Sequence, residues 1–218
     1  MKRIAFMHST TLVVDAVKKA ATALAGEYEL YHVVDEALLG MLTRDGGISS
    51  AIVNAMRRIA LNCQDTGMEM MVCTCSSLSP VLDRIGDDVD IPLLKIDRLM
   101  FERAVAAHDS IGLVMTNPTT QKASAALFER VCADLGRHPR LVPLLCEGAF
   151  ALISRGDSEG HDREVVEAVR RIAQEVDHVV LAQISMARIR DRLPPEVRGK
   201  TVSGLDSLVD TIRRGRAG

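Results

Sequence analysis

Short apolar runs alternate with longer amphipathic stretches along the whole chain. The runs predict strands over residues 3–7, 29–33, 70–73, 92–94, 110–115, 140–143, 178–181 and 200–202. Several are unbroken rather than alternating, Val179-Val180-Leu181 among them. Parallel strands covered on both faces read this way. The amphipathic stretches predict helices over residues 12–25, 49–66, 97–107, 119–135, 162–176 and 206–214. Regular alternation of this kind implies an α/β fold with parallel sheets and right-handed crossovers.

The pattern also repeats. Ile4-Ala5-Phe6-Met7-His8-Ser9-Thr10 lies over Ile111-Gly112-Leu113-Val114-Met115-Thr116-Asn117 at an offset of 107 residues. Val72-Cys73-Thr74-Cys75-Ser76-Ser77 lies over Val180-Leu181-Ala182-Gln183-Ile184-Ser185 at 108, and Lys95-Ile96-Asp97 over Gly204-Leu205-Asp206 at 109. Three matches in order at nearly constant spacing point to one α/β unit used twice. The expected architecture is two similar lobes of parallel sheet flanked by helices and related by a pseudo-twofold. The first lobe is expected to span residues 1–96 plus 200–218, the second 97–199. Asp97 and Asp206 read as N-caps of the helices entered at the two crossings. Ligands of open parallel sheets bind beyond the carboxyl ends of the strands, so the active site is expected in the cleft between the lobes.

Composition narrows the function. A net charge of -2 gives no reason to expect a nucleic-acid partner. The one basic cluster, Arg213-Arg214-Gly215-Arg216, reads as a solvated helix end. No apolar stretch approaches the roughly 18 residues a membrane span needs. Met1-Lys2-Arg3 leads into an apolar run that soon meets His8, Ser9 and Thr10, which does not read as a signal peptide. Five cysteines suggest free thiols and a cytoplasmic location. With no tryptophan and 3% aromatics, the core must be aliphatic.

The densest polar cluster is Thr74-Cys75-Ser76-Ser77-Leu78-Ser79, between a strand and a helix. A thiol at a helix N-terminus is biased toward thiolate, and neighbouring hydroxyls suit a carboxylate or a developing oxyanion. The competing reading is a buried cysteine with capping serines. Cys73 points back into the sheet. Cys63, Cys132 and Cys146 read as inert residues facing the core. Thr116-Asn117-Pro118-Thr119-Thr120 is the matching cluster of the second lobe, with Thr119 either capping the helix or binding a substrate carboxylate. His8 ends the first strand as a hydrogen-bonding residue or an acid/base. Glu147 follows a strand and is positioned to approach the cleft. His161-Asp162 reads as a cap in a solvated loop. Cys73-x-Cys75 has no second pair to complete a metal site, so no metal is expected.

Cys75-Ser76-Ser77 and Gly112-Leu113-Val114-Met115-Thr116-Asn117-Pro118-Thr119 resemble motifs of the aspartate/glutamate/hydantoin racemase superfamily. Glu147-Gly148-Ala149-Phe150 through His161-Asp162 is similar to the hydantoin-racemase-like members. The resemblance spans nearly the whole length and implies cofactor-independent chemistry on a small-molecule carboxylate. Two cysteines, one per lobe, would flank the α-carbon of the substrate, and the protein would be a homodimer or higher homo-oligomer. Cys75 matches the first cysteine. Ser76 and Ser77 would bind carboxylate or carbonyl oxygen, and Thr116, Thr119 and Thr120 would hold the other end. Ser9, Thr10, Asn117, Ile184 and Ser185 complete the expected substrate-binding set, with His8 as a second acid/base. The departure is Gln183, which stands where the second cysteine belongs and has no proton to exchange near neutral pH. Three readings remain open: a racemase-like isomerase, a one-thiol decarboxylase or other lyase similar to arylmalonate decarboxylase, and a binding protein that has lost catalysis.

Overall fold

The computed structural model describes residues 1–215. Its strands are β1 (Lys2–His8), β2 (Tyr28–Val34), β3 (Met70–Cys73), β4 (Leu93–Lys95), β5 (Ser110–Met115), β6 (Arg140–Leu145), β7 (His178–Leu181) and β8 (Thr201–Ser203). Its helices are α1 (Val14–Ala20), α2 (Ala37–Asp45), α3 (Ser50–Asp65), α4 (Leu82–Ile85), α5 (Arg98–Ala107), α6 (Pro118–Leu135), α7 (Ala149–Ser154), α8 (Ser158–Ile172), α9 (Pro195–Gly199) and α10 (Leu208–Gly215). The chain divides into two units, one of Met1–Ile96 with the segment from Ser207 on, the other of Asp97–Asp206.

Each unit holds one four-stranded parallel sheet, in the order β2-β1-β3-β4 in the first and β6-β5-β7-β8 in the second. The two orders are the same, so the sequence repeat corresponds to a repeated topology. The central strands are buried on both faces, which is why they read as unbroken apolar runs: Ile4, Ala5, Phe6 and Met7 are at most 1% exposed. In the first unit Ala5, Met7, Met71 and Cys73 pack on Ile52, Met56 and Leu78. In the second, Val114, Val179 and Leu181 pack on Val165, Val169 and Ile172 of α8, while Leu113 and Val180 pack on Phe101, Leu127 and Val131 of α5 and α6.

Four differences from the sequence expectations matter. Residues 200–206 belong to the second unit, not the first, because β8 pairs with β7 through Val179↔Thr201 and Val180↔Val202. The repeat already carries this: Lys95 falls on Gly204, and β4 is to the first sheet what β8 is to the second. The helix expected over 12–25 is instead α1 between two 3-10 turns, Thr11–Val13 and Ala21–Leu24. Helix α2 is absent from the sequence expectation, since Gly40 lowers its intrinsic helicity, yet Leu38 and Leu42 bury one turn apart and Gly46 closes it at φ 66°. Finally, Asp97 stands at the N-cap position of α5 but its side chain makes no cap hydrogen bond there, and Asp206 lies in a 3-10 turn. Its carboxylate accepts from Ser203 N (2.6 Å) and Ser203 Oγ (2.9 Å) and pairs with Arg190.

At the C-terminal helix, Arg213 pairs with Glu27 at 2.7 Å; Arg216 of the basic cluster lies outside the described residues. Among the described residues no helix is long and apolar enough to cross a membrane.

Candidate active site

In the first unit the carboxyl ends of β1 and β3 meet at one turn. Thr74 N donates to Met7 O at 3.0 Å, which carries the chain from β3 straight into Cys75. The Cys75 carbonyl then accepts from Leu78 N (3.0 Å) and Ser79 N (2.9 Å), and from the Cys73 thiol at 3.5 Å. The chain continues into a 3-10 turn, Ser79–Val81, and the four-residue α4, so Cys75 sits at a tight turn rather than at the end of a long helix dipole. Ser76 and Ser77 are buried in that turn, as is Ser9 after β1, while Thr10 caps the next turn by accepting from Leu12 N.

Cys75 is partly exposed, and the other four cysteines are buried. Burial pushes the Cys63 and Cys132 thiols up and the Cys146 thiol to about 11, with Glu164 adding to the last. Those three stay protonated at neutral pH.

His8 is fully buried and both its ring nitrogens are engaged. Thr74 Oγ1 donates to Met7 O at 3.0 Å, so its contact with His8 Nδ1 at 2.8 Å requires the proton on Nδ1. His8 Nε2 therefore accepts from His32 Nδ1, also at 2.8 Å. Burial, then His32 and Lys18, lower the His8 pKa to about 4. A neutral imidazole with both nitrogens occupied braces the strand end that leads into Cys75 and has no nitrogen left for a substrate proton. Sequence reasoning misses His32, which reaches His8 because β2 runs beside β1 with Phe6 opposite His32.

In the second unit Ala182 N donates to Val114 O at 3.0 Å, the counterpart of the Thr74–Met7 bond. Gln183 thus occupies in this sheet the position that Cys75 occupies in the other. Its Oε1 accepts from Thr116 N (2.7 Å), Thr116 Oγ1 (3.1 Å) and Asn117 N (3.1 Å). Asn117, not Thr119, caps α6: its Oδ1 accepts from Thr119 N at 3.0 Å and Thr119 Oγ1 at 2.8 Å. Thr120 and Ile184 are buried, and Ser185 is half-buried with its carbonyl taken by Arg188 Nη1 at 2.8 Å.

The chain as a whole is similar to known proteins. The Asp/Glu/Hydantoin racemase family profile matches residues 4–212. The chain belongs to the Asp/Glu/hydantoin racemase family. Allantoin racemase from Klebsiella pneumoniae has a similar structure, with a TM-score of 0.72 at 18% identity, covering 100% of this chain and 88% of that one. Glutamate racemase RacE1 from Bacillus anthracis gives 0.72 at 12% identity, covering 99% and 82%. Aspartate racemase from Picrophilus torridus gives 0.71 at 11% identity, covering 99% and 95%. At these identities the likeness is one of fold. No curated protein sequence matches the chain.

Within this racemase-family chain two further groups depart from the sequence expectation. His161 and Asp162 are buried in the first turns of α8 instead of lying in a solvated loop, and Asp157 is the cap, accepting from Gly160 N at 2.8 Å. Asp162 takes His161 Nδ1 (2.8 Å) and both Nε (3.0 Å) and Nη2 (2.8 Å) of Arg188. Arg188 supplies a cation five residues after Gln183, paired with Asp162. The charge-rich segment Arg188-Ile189-Arg190-Asp191-Arg192 is the signal that could have found it. Glu147 lines a groove of about 450 Å³ between the end of β6 and α8, with Cys146, Arg163, Glu164 and Arg171. Among the described residues no group of three or more His, Cys, Asp or Glu side chains is arranged to hold a metal ion.

Proposed function

We propose that this racemase-family protein acts, without a cofactor, at the α-carbon of a small carboxylate or related carbonyl compound, with Cys75 as the acid/base. The observation that carries the reading is the placement of Cys75: among five cysteines it is the one not buried, and it stands at a strand end among Ser76, Ser77 and Ser79. Ser76 and Ser77 are assigned to the oxygen that gains charge when the α-carbon loses a proton. His8 takes no proton-transfer step, since its nitrogens are committed and its pKa lies near 4.

Gln183 shapes what one thiol can achieve. A thiolate that removes the α-proton and returns it to the same face leaves the stereocentre unchanged. Inversion needs a proton from the other face, and Gln183, which stands where the family resemblance expects the second cysteine, has none to give near neutral pH. A second reading therefore gains weight: a lyase in which loss of carbon dioxide creates the carbanion and the Cys75 thiol protonates it once. The racemases of similar fold act, by their names, on allantoin, glutamate and aspartate. These compounds and an α-substituted malonate form the natural test panel.

The deciding experiment follows each compound by NMR in deuterium oxide with the wild type and Cys75→Ala. An isomerase washes deuterium into recovered substrate, whereas a decarboxylase labels only product. Loss of the acid/base should cost about 10²- to 10⁴-fold in either case. Activity in Cys75→Ala above a few per cent of wild type sinks the assignment. If the wild type binds a compound that it neither labels nor converts, a binding protein without catalysis is the better reading.

A further inference from the structure

Three donors converge on one atom of Gln183. Thr116 N, Asn117 N and Thr116 Oγ1 lie 2.7, 3.1 and 3.1 Å from it. Two of these are backbone N–H groups, which only donate, so the atom they share is the amide oxygen and the amide orientation is fixed by the network. Thr116 and Asn117 are 2% and 5% exposed. Buried donors left without an acceptor would each cost about 1–3 kcal/mol. The turn that presents them joins β5 to α6, an 18-residue helix. Converging N–H groups and a hydroxyl at such a start form an oxygen site suited to a carboxylate or a carbonyl.

We infer that Gln183 is a specificity-determining residue of this chain: its amide oxygen fills that oxygen site as an internal surrogate for a ligand carboxylate, and its Nε2 offers two N–H donors to the ligand instead. Gln183 is half-buried, and among the described residues no acceptor takes the Nε2 protons. The ligand class favoured at this end is one that presents a carboxylate or carbonyl oxygen to a neutral amide donor. Thr116 and Asn117 then act as positioning residues, holding the amide rather than the ligand. The ligand class rests on the function proposed above, but the filled oxygen site does not depend on any chemistry at Cys75.

The test uses the full chain labelled with ¹⁵N and acetate as the probe. In the wild type, acetate should move the Gln183 side-chain Nε2 resonances and leave the Thr116 and Asn117 backbone amides in place. In Gln183→Ala the site is empty, and acetate should move both backbone amides saturably, about tenfold more tightly than any effect on them in the wild type. Gln183→Glu restores an oxygen to the site and should close it again. Should Gln183→Ala not fold, Gln183→Met, which keeps the volume without the oxygen, takes its place. The oxygen-site claim is overturned if acetate moves the Thr116 and Asn117 amides equally in wild type and variant, or in neither. Nε2 resonances that ignore acetate in the wild type overturn the donor claim. Cys75→Ala turnover and these amide shifts are separate readouts, so the two readings fail separately.

Discussion

A buried histidine is a statement about pH. His8 sits at about 4 because burial penalises its cation and because His32 and Lys18 face it. His178, at the start of β7, also lies near 4 through burial, with His108, Arg190 and Lys200 adding to the shift. Its ring stacks on His108 with centroids 4.2 Å apart. In the unfolded chain both histidines titrate near pH 6.5. Between about pH 6.5 and 4 the unfolded state therefore binds more protons than the folded one. The stability is fully present above about pH 6.5, is lost as pH falls, and levels off below about 4, by roughly 3 kcal/mol for each residue if the whole shift is realised. Urea midpoints measured across this window should fall steadily on the acid side. His8→Gln and His178→Gln should each flatten that slope, whatever they do to stability at neutral pH. A midpoint that ignores pH between these limits would contradict the assignment. His8 is visible in the sequence as a strand-end histidine. Its proton bookkeeping is not, because that depends on His32, a partner delivered by the register of β1 against β2.

Elements behave differently, since packing rather than protons sets their limits. Gly112 lies in the central strand β5, and a Cβ placed there would meet Ile172 Cδ1 at 2.8 Å, Ile172 Cγ1 at 3.0 Å and Val176 Cγ2 at 3.2 Å. Helix α8 can approach β5 this closely only over a glycine. Gly112→Ala should cost about 1–3 kcal/mol by overpacking. Ile172→Val removes the Cδ1 atom that collides first, so adding it to Gly112→Ala should recover part of that loss. Thermal unfolding of the two single variants and the double variant checks this, and strictly additive losses would show that the contact is not the cause. Elements of this size are legible: long helices such as α3, α6 and α8 advertise themselves by apolar spacing, and buried strands by unbroken apolar runs. The short ones are not. α7 has six residues and α9 five, too few turns for a pattern to emerge; α7 packs on α8 and α9 against β8.

For the molecule as a whole, the repeat ties the fold to the site. Offsets near 107 predict that Cys75 and Gln183 stand at equivalent strand ends, and the paired bonds Thr74 N–Met7 O and Ala182 N–Val114 O place them so. An offset carries no side-chain geometry, which is why Thr116 and Asn117 read from sequence as ligand donors when Gln183 already holds them. The same two cores decide which thiols are chemically present. Cys63 and Cys73 are at most 1% exposed in the first core, and Cys132 and Cys146 at most 8% in the second. Thiolate, not thiol, is the nucleophile in alkylation. Cys63, Cys132 and Cys146, with their raised pKa values, are therefore protected twice, by access and by protonation. Native protein treated briefly with iodoacetamide at neutral pH should gain one carbamidomethyl group, on Cys75, by intact-mass measurement. Cys75→Ser should gain none, and denatured wild type should gain five, one for each cysteine in the chain. A native adduct on any of the other four would mean that a core opens on the timescale of labelling, and Cys75 would then lose its standing as the one accessible thiol.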